Sequence, residues 1–203
     1  MTATSLLAQH DNPATKTVTA LRRRGHEVHR VATVGAGADL ALELLPDPAD
    51  FFTASSETVR LAGLEDRLVA AGHRSVRQAF GSMDYERDRR RMKELAGAPS
   101  VLIGSVNAVT HDGEVLVASS SGSQLAGYSY GADRVIWLVG MQKLVPDLAD
   151  GMLRIREHCL PLEDARARAA YGQGSAVNKV LTVFGEPTPG RTQIILIDEP
   201  VGY

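Results

Sequence analysis

Two short segments rich in small hydroxyl residues are the parts of this chain best suited to chemistry. Five small residues in succession, residues 119–123, follow a strand-like run, and this composition allows hydroxyl and backbone N–H donors to surround an anion. A second segment, residues 55–58, stands between a predicted strand that ends near Ala54 and a predicted helix that begins near Glu57. Ser56 is also well placed to cap that helix, so capping alone would explain the second segment. No phosphate-binding loop of the G-x-x-x-x-G-K-[ST] type occurs.

Three further polar residues stand near these segments in the predicted fold. Asn107 and Thr110 precede Asp112-Gly113, a typical hairpin turn, and each can hydrogen-bond a carboxylate or hydroxyl of a small ligand. Lys143 follows a strand exit at Gly140 and can supply a positive charge. Taken singly, each has a structural explanation as a turn-stabilising or solvated residue. Together the polar positions predict a ligand site formed by Ser55, Ser56, Thr58, Asn107, Thr110, Ser119, Ser120, Ser121, Gly122, Ser123 and Lys143.

The elements that must position these residues alternate along the first half of the chain. Strand-like runs lie near residues 27–32, 50–54 and 75–78, and helical segments near residues 38–45, 57–71 and 83–96. This alternation is typical of βαβ units, so we expect a mostly parallel sheet with helices on both faces. In open α/β sheets, ligands gather outside the carboxyl ends of the strands. We therefore expect both hydroxyl-rich segments at that edge.

Antiparallel pieces are expected in the second half of the chain. A hairpin is predicted over residues 107–117, with its turn at Asp112-Gly113. Two more strand-like runs, residues 179–184 and 193–197, flank residues 186–190, a turn-forming segment with two prolines and a glycine. These residues predict a closing antiparallel hairpin. The predicted fold class is therefore α/β, with a mostly parallel sheet, flanking helices and antiparallel hairpin additions.

Length and composition predict one domain. The chain has 203 residues, 44% of them hydrophobic, which suffices for one substantial core over residues 12–203, after a mobile tail at residues 1–11. Its 22 basic and 24 acidic residues give a formal charge of -2, so no broad positive surface is expected to bind nucleic acid. No charged-then-apolar leader and no run of about 18 apolar residues occurs. We therefore predict no membrane span and a cytoplasmic location.

The cysteine content bears on metal binding. Cys159 is the single cysteine, so no internal disulfide can form. Adjacent helical residues point about 100° apart, so Cys159 and His158 do not form a ready metal pair. A buried structural thiol is the expected role of Cys159, because free cysteine is among the most buried residue types. We predict no metal site in this chain.

Several of these motifs together resemble the lactate-utilisation (LUD) domain family. The resemblance runs from about Ala14 to Tyr203 and is densest from Ser105 to Asp147. Besides the hairpin and the serine-rich loop, it rests on Tyr130-Gly131, on VIWLVG at residues 135–140, on KLVPD at residues 143–147 and on Val201-Gly202-Tyr203. It implies a fold like that of ribose-phosphate isomerase and CoA-transferase domains, and an association with bacterial oxidation of lactate. The positions that match family motifs are Ser56, Thr58, Asn107, Gly113, Gly122 and Lys143.

Two departures from the family pattern bear on the ligand and on cofactors. Many relatives carry Asp-Gly-Thr-Gly-Asn-Arg where this chain has SSSGSQ at residues 119–124, so one acid and one arginine are missing and the charge at the pocket differs. Relatives often carry a cysteine-rich insertion, whereas residues 171–178 contain no cysteine. We therefore expect no cofactor bound by this chain alone, and an iron–sulfur cluster only in a partner subunit.

The resemblance leads to one main functional hypothesis and an alternative. The main hypothesis is a subunit that binds a small organic acid or phosphate-bearing ligand, or assists assembly, during oxidation of lactate or a related acid beside iron–sulfur redox subunits. The alternative, implied by the related fold, is an isomerase- or acyl-transferase-type enzyme that holds phosphate or CoA, with Glu57 as acid or nucleophile. A purely structural or regulatory role is a third class. Families of this fold often form dimers, which implies a homodimer.

Overall fold

The computed structural model describes residues 13–203. The expected tail at residues 1–11 and the first residue of the expected domain, Asn12, lie outside the described residues. The strands are β1 Glu27–Val31, β2 Asp50–Thr53, β3 Arg74–Ser75, β4 Val101–Gly104, β5 Ala108–Thr110, β6 Val115–Ser119, β7 Arg134–Gly140, β8 Leu144–Val145, β9 Lys179–Val183 and β10 Thr192–Ile197. The helices are α1 Pro13–Arg23, α2 Val34–Glu43, α3 Glu57–Leu61, α4 Leu64–Ala70, α5 Val76–Phe80, α6 Arg89–Gly97, α7 Leu148–Arg154 and α8 Leu160–Tyr171. A π-helical turn joins α7 to α8 at Ile155–Cys159.

Six strands form a parallel sheet in the order β1-β10-β7-β4-β2-β3. Its central strands are buried along nearly their whole length, and their side chains alternate between two hydrophobic clusters. Trp137 and Leu196 point to one cluster, whereas Ile136 and Ile195 point to the other. Both faces of the sheet are therefore covered, which is the arrangement that continuous apolar strands require.

A second sheet of four strands, in the order β8-β5-β6-β9, packs on one face of the first. The predicted hairpin is its centre: β5 and β6 pair antiparallel, with Ala108 opposite Leu116. The turn packs against α1, because a Cβ atom on Gly113 would lie 2.9 Å from the backbone of Ala20 and Leu21. α7 covers the outer face of this sheet through Met152 and neighbouring residues. The predicted α/β class, with a mostly parallel sheet and antiparallel additions, is confirmed.

The predicted closing hairpin is wrong. β9 pairs antiparallel with β6 in the second sheet, whereas β10 lies between β1 and β7 in the parallel sheet. All six residues of β10 are buried, while β9 is only partly buried. An apolar strand buries more surface, and is therefore stabilised more, at the centre of a parallel sheet than in a hairpin with a half-exposed neighbour. The segment between the two strands links the sheets, and Glu186 within it bonds Arg191 and Thr192.

Four helix and strand boundaries differ from the sequence prediction. The helix expected near residues 38–45 is α2, which already begins at Val34. The long helix expected over residues 57–71 is two helices, because Gly63 takes a left-handed conformation with a φ of 58° between α3 and α4. The strand expected at residues 75–78 is only β3, and Ser75 then caps α5 through a bond from the Gln78 N–H. The charged helix begins at Arg89 rather than near residue 83. Among residues 13–203, no helix has the length and apolarity needed to cross a bilayer.

Candidate functional site

A cavity of about 240 Å³ lies where the carboxyl ends of the parallel strands meet the second sheet. The link from β4 to β5 and the link from β7 to β8 both border it, and each link carries the chain from one sheet to the other. We call it the Lys143 cavity. Its polar lining residues are Ser55, Ser56, Glu57, Ser105, Asn107, Ser119, Ser120, Ser121, Ser123, Gln124, Tyr128, Lys143, Cys159, Glu163, Ser175 and Tyr203.

Both hydroxyl-rich segments border this cavity. Ser55, Ser56 and Glu57 lie on one side, and the loop that follows β6 lies on another. Ser56 also accepts a hydrogen bond from the Val59 N–H at 3.4 Å, so it caps α3 while lining the cavity. The loop after β6 is held in shape by Ser119, whose hydroxyl accepts a bond from the Gly122 N–H at 2.8 Å. The two segments therefore converge on one site, as the fold class predicts.

Lys143 is the most unusual side chain at the site. It is only 1% exposed, and its Nζ donates to Ser105 Oγ at 2.9 Å, to Thr58 Oγ1 at 3.0 Å and to the Val106 carbonyl at 3.1 Å. All three partners are neutral. Burial, together with the smaller effect of the nearby Arg154 guanidinium, lowers the pKa of Lys143 from 10.5 to about 7.

A second cation stands behind the same wall. Arg154 Nη1 donates to the Asn107 carbonyl at 3.0 Å and lies 2.7 Å from Cys159 Sγ. Within residues 13–203, neither Arg154 nor Lys143 forms an ion pair with a carboxylate. Arg154 is therefore a permanent cation without an acidic partner among these residues, and Lys143 can take up a proton beside it; the low dielectric of the interior strengthens the positive potential at this wall. This arrangement favours an anion.

The opposite wall is acidic but neutralised. Glu57 accepts a bond from Arg60 Nε at 2.9 Å, and this contact holds the pKa of Glu57 below its usual value. Glu163 is likewise paired with Arg166 at 2.7 Å and accepts a bond from the Tyr203 hydroxyl. Both carboxylates therefore stay ionised at neutral pH, and each forms an ion pair with an arginine.

The segment that carries Tyr203 is anchored close to Lys143. Gln142 Nε2 donates to the Val201 and Gly202 carbonyls at 2.9 and 3.0 Å. Gly202 has a φ of 64°, and a Cβ atom there would lie 2.2 Å from Thr58 Oγ1. Only glycine therefore allows this close approach to Thr58, whose hydroxyl is bonded to Lys143 on its other side.

A second cavity, of about 310 Å³, shares the wall formed by residues 54–57 and Glu163. We call it the arginine groove, after Arg60, Arg77 and Arg166, which line it. Arg60 and Arg166 bond the two glutamates of the shared wall. Arg77 donates to Thr53 Oγ1 at 3.2 Å and stacks over the ring of Phe52 at 5.2 Å. Arg60 and Arg166 are therefore paired with carboxylates, whereas Arg77 is exposed and bonds only neutral oxygens within the described part of the chain.

Most of the predicted ligand residues line the Lys143 cavity, but three do not. Thr58 is buried behind the cavity wall, where its hydroxyl accepts a hydrogen bond from Lys143. Gly122 turns the serine-rich loop, with a φ of 87°. Thr110 lies elsewhere in the second sheet and bonds Glu114. Thr110 is the last residue of β5, next to the hairpin turn, so this contact stabilises the turn.

Sequence reasoning missed six polar residues of the cavity, namely Ser105, Gln124, Tyr128, Glu163, Ser175 and Tyr203. Ser105 follows β4 directly, and the rule that strand ends carry ligand residues would have found it. Tyr128 lies on a π-helical turn, Gly127–Gly131, a feature often found at functional sites. Glu163 and Tyr203 come from elements distant in sequence, and no local pattern marks them. Cys159 is buried as expected, but it also lines the cavity.

Within residues 13–203, no group of three or more His, Cys, Asp or Glu side chains is arranged to hold a metal ion.

The fold is similar to that of solved structures at low sequence identity. A DUF162 family protein from Deinococcus radiodurans is similar over 91% of this chain and 96% of its own, with a TM-score of 0.56 and 11% identity. Ribose 5-phosphate isomerase A from Neisseria gonorrhoeae matches 57% of this chain and 54% of its own, with a TM-score of 0.37 and 14% identity. eIF2B delta from Chaetomium thermophilum matches 73% of this chain and 57% of its own, with a TM-score of 0.39 and 14% identity.

The sequence itself gives a family match over nearly the whole chain. No curated protein matches it significantly. The model of the LUD domain matches residues 14–197, a range that includes both sheets and most of the walls of the Lys143 cavity. The same range contains the hairpin, the serine-rich loop and the KLVPD segment on which the resemblance was based. The chain therefore belongs to the LUD domain family.

Proposed function

We propose that this chain binds a small organic acid in the Lys143 cavity and serves as a binding or assembly subunit in the oxidation of lactate or a related acid. The observation that carries the proposal is Lys143, a buried amine at the wall of a small cavity, whose Nζ bonds only neutral oxygens among residues 13–203 and which would become a cation when it takes up a proton. A buried charge is normally paired, so an anionic ligand would complete this site. Family membership supports the link to lactate, and separate iron–sulfur subunits would supply the redox chemistry.

Calorimetric titration tests this proposal. The purified chain is titrated at pH 7 with sodium lactate, sodium pyruvate, inorganic phosphate and CoA, and the Lys143→Met variant is titrated in parallel. Lys93→Met is the matched control, because Lys93 is exposed on α6. We expect binding of a small acid, its loss by about 100-fold or more in Lys143→Met, and no change in Lys93→Met. Failure of the wild-type chain to bind any of the four compounds would refute the proposal.

A second candidate function is an isomerase- or acyl-transferase-type reaction on a phosphate- or CoA-bearing substrate. It is favoured by Glu57, an ionised carboxylate that faces the cavity. A lowered pKa suits a nucleophile or base, and it argues against the role of general acid. In a preparation with measured turnover, Glu57→Gln should abolish activity if this function is correct. Unchanged turnover in Glu57→Gln would exclude it.

A further inference from the structure

Two carboxamide side chains of the Lys143 cavity have their oxygen bonded to the protein and their nitrogen free. Asn107 and Gln124 both line the cavity, and both are partly buried. Among residues 13–203, neither amide nitrogen has a hydrogen-bond partner. All side-chain polar atoms in this range that are both unpaired and closed off from solvent lie on other residues, so these two nitrogens are accessible.

The amide of Asn107 continues the hydrogen-bond ladder between β5 and β6. Its backbone N–H donates to the Leu116 carbonyl at 2.9 Å, and its Oδ1 accepts from the Ala118 N–H at 2.7 Å. Its own carbonyl accepts from Arg154 Nη1 at 3.0 Å. Because the Ala118 N–H requires an acceptor, it fixes the amide oxygen toward β6. The NH2 group is therefore the polar group of Asn107 that the described residues leave free for a ligand.

The amide of Gln124 is held by the serine-rich loop. Ser119 Oγ accepts from the Gly122 N–H at 2.8 Å and donates its own proton to Gln124 Oε1 at 3.1 Å. Ser123 Oγ donates to the same oxygen at 3.3 Å. With two hydroxyl groups on its oxygen, Gln124 also has its NH2 group left as a donor at the cavity it lines.

The two amide groups suit an oxyanion. Each NH2 group donates and accepts nothing, so its partner must supply acceptor atoms. Ionised carboxylate and phosphate oxygens are acceptors, and hydrogen bonds to charged acceptors are stronger than those to neutral ones. An amide keeps this role at every physiological pH, whereas Lys143 is charged only when it takes up a proton. The amides would therefore supply the part of the recognition that does not depend on pH.

We infer that the NH2 groups of Asn107 and Gln124 bind the oxyanion group of the ligand, a carboxylate or a phosphate, between the link from β4 to β5 and the serine-rich loop. This inference rests on the proposed function and adds how the ligand is recognised. The charged group of the ligand meets two neutral donors that the fold has already oriented, and Lys143 adds its charge on protonation. Donors that are fixed before binding lose little freedom when the ligand arrives.

The experiment exchanges each amide for a carboxylate of the same shape. Asn107→Asp and Gln124→Glu keep the bonded oxygen but replace the NH2 group by a second carboxylate oxygen, which removes a donor and repels an anion. Gln78→Glu is the matched control, because Gln78 is exposed on α5 and borders neither cavity. Binding of sodium lactate, sodium pyruvate, inorganic phosphate and CoA is measured by calorimetry at pH 7. Melting temperature without ligand shows whether each variant is folded.

A second measurement uses the wild-type chain and does not depend on how the variants fold. The side-chain NH2 signals of Asn107, Gln124 and Gln78 are followed by NMR in isotope-labelled protein during titration with the compound that binds most tightly. The signals of Asn107 and Gln124 should shift with saturation, because their protons become hydrogen-bonded to the ligand. The Gln78 signal should stay in place.

Asn107→Asp and Gln124→Glu should each bind that compound about 30-fold more weakly or worse, whereas Gln78→Glu should stay within about twofold of the wild type. Preference for lactate or pyruvate would identify the oxyanion as a carboxylate, and preference for phosphate or CoA would identify it as a phosphate group. Unchanged affinity in either folded cavity variant, or amide signals that do not move, would overturn this inference while the proposed function stands. If the wild-type chain binds none of the four compounds, the proposed function fails, and this inference fails with it.

Discussion

The Lys143 cavity and the arginine groove share a wall but differ in how their charges are balanced. In the groove, Arg60 and Arg166 each bond a glutamate of that wall. At the cavity wall, Lys143 is bonded to neutral oxygens, and Arg154 behind this wall is bonded to a carbonyl and lies against a thiol. The groove is slightly larger, at about 310 Å³ against about 240 Å³. Arg77 of the groove also lacks a carboxylate partner among residues 13–203, but it is exposed, whereas Lys143 is buried. The buried Lys143 side chain, rather than the size, therefore distinguishes the cavity as the candidate binding site.

The largest difference in ligand affinity is expected between two variants, one that lacks an arginine behind the Lys143 cavity and one that lacks an arginine of the arginine groove. Arg154→Met should weaken binding of pyruvate about tenfold, because it removes a cation near the anion, whereas Arg166→Met should leave affinity within about twofold. Calorimetric titration of both variants measures this difference. Arg154→Lys is the control that keeps the charge, and it should retain most of the affinity. Equal losses in Arg154→Met and Arg166→Met would show that the charge balance does not distinguish the two cavities.

A smaller effect is expected from Glu163→Gln, which leaves Arg166 without its carboxylate and changes the acceptor of Tyr203. The Glu163 and Arg166 side chains are 34% and 32% exposed, so the ion pair is partly screened and its loss should lower the free energy of unfolding by about 1 kcal/mol or less. Urea denaturation measures this change. Pyruvate affinity should not fall, because the variant makes the shared wall less negative. A large fall in affinity would assign the glutamate wall to the ligand.

The sequence predicts the fold class well because its signals are local. Alternating strands and helices indicate the parallel sheet, and Asp112-Gly113 locates the hairpin. The position of β10 is not local information, since β1 and β7 are distant in sequence. The run IILI at residues 194–197 does indicate a central position for β10, because four apolar residues in succession are typical of a strand buried on both faces.

The candidate site is predictable where its residues follow strand ends. The two hydroxyl-rich segments and Asn107 meet at one cavity because parallel strands end at a common edge. Lys143 appears in the sequence as an ordinary lysine after a strand, and only the fold shows that Thr58 and Ser105 enclose it. The Glu163–Tyr203 contact joins residues from separate elements, so no spacing rule could have found it.

The most direct measurement of the central claim is the proton uptake that accompanies ligand binding. The pKa of Lys143 is lowered to about 7, so at pH 7.5 the free protein holds this side chain mostly neutral, and an anion in the cavity should raise the pKa and draw in a proton. Pyruvate binding is measured by calorimetry at pH 7.5 in two buffers of different ionisation enthalpy. We expect uptake of about half a proton or more per pyruvate in the wild-type chain, affinity that falls as pH rises above 7, and no uptake in Lys143→Met. Binding without proton uptake, or equal uptake in both proteins, would contradict the claim that Lys143 is the unpaired cation of this site.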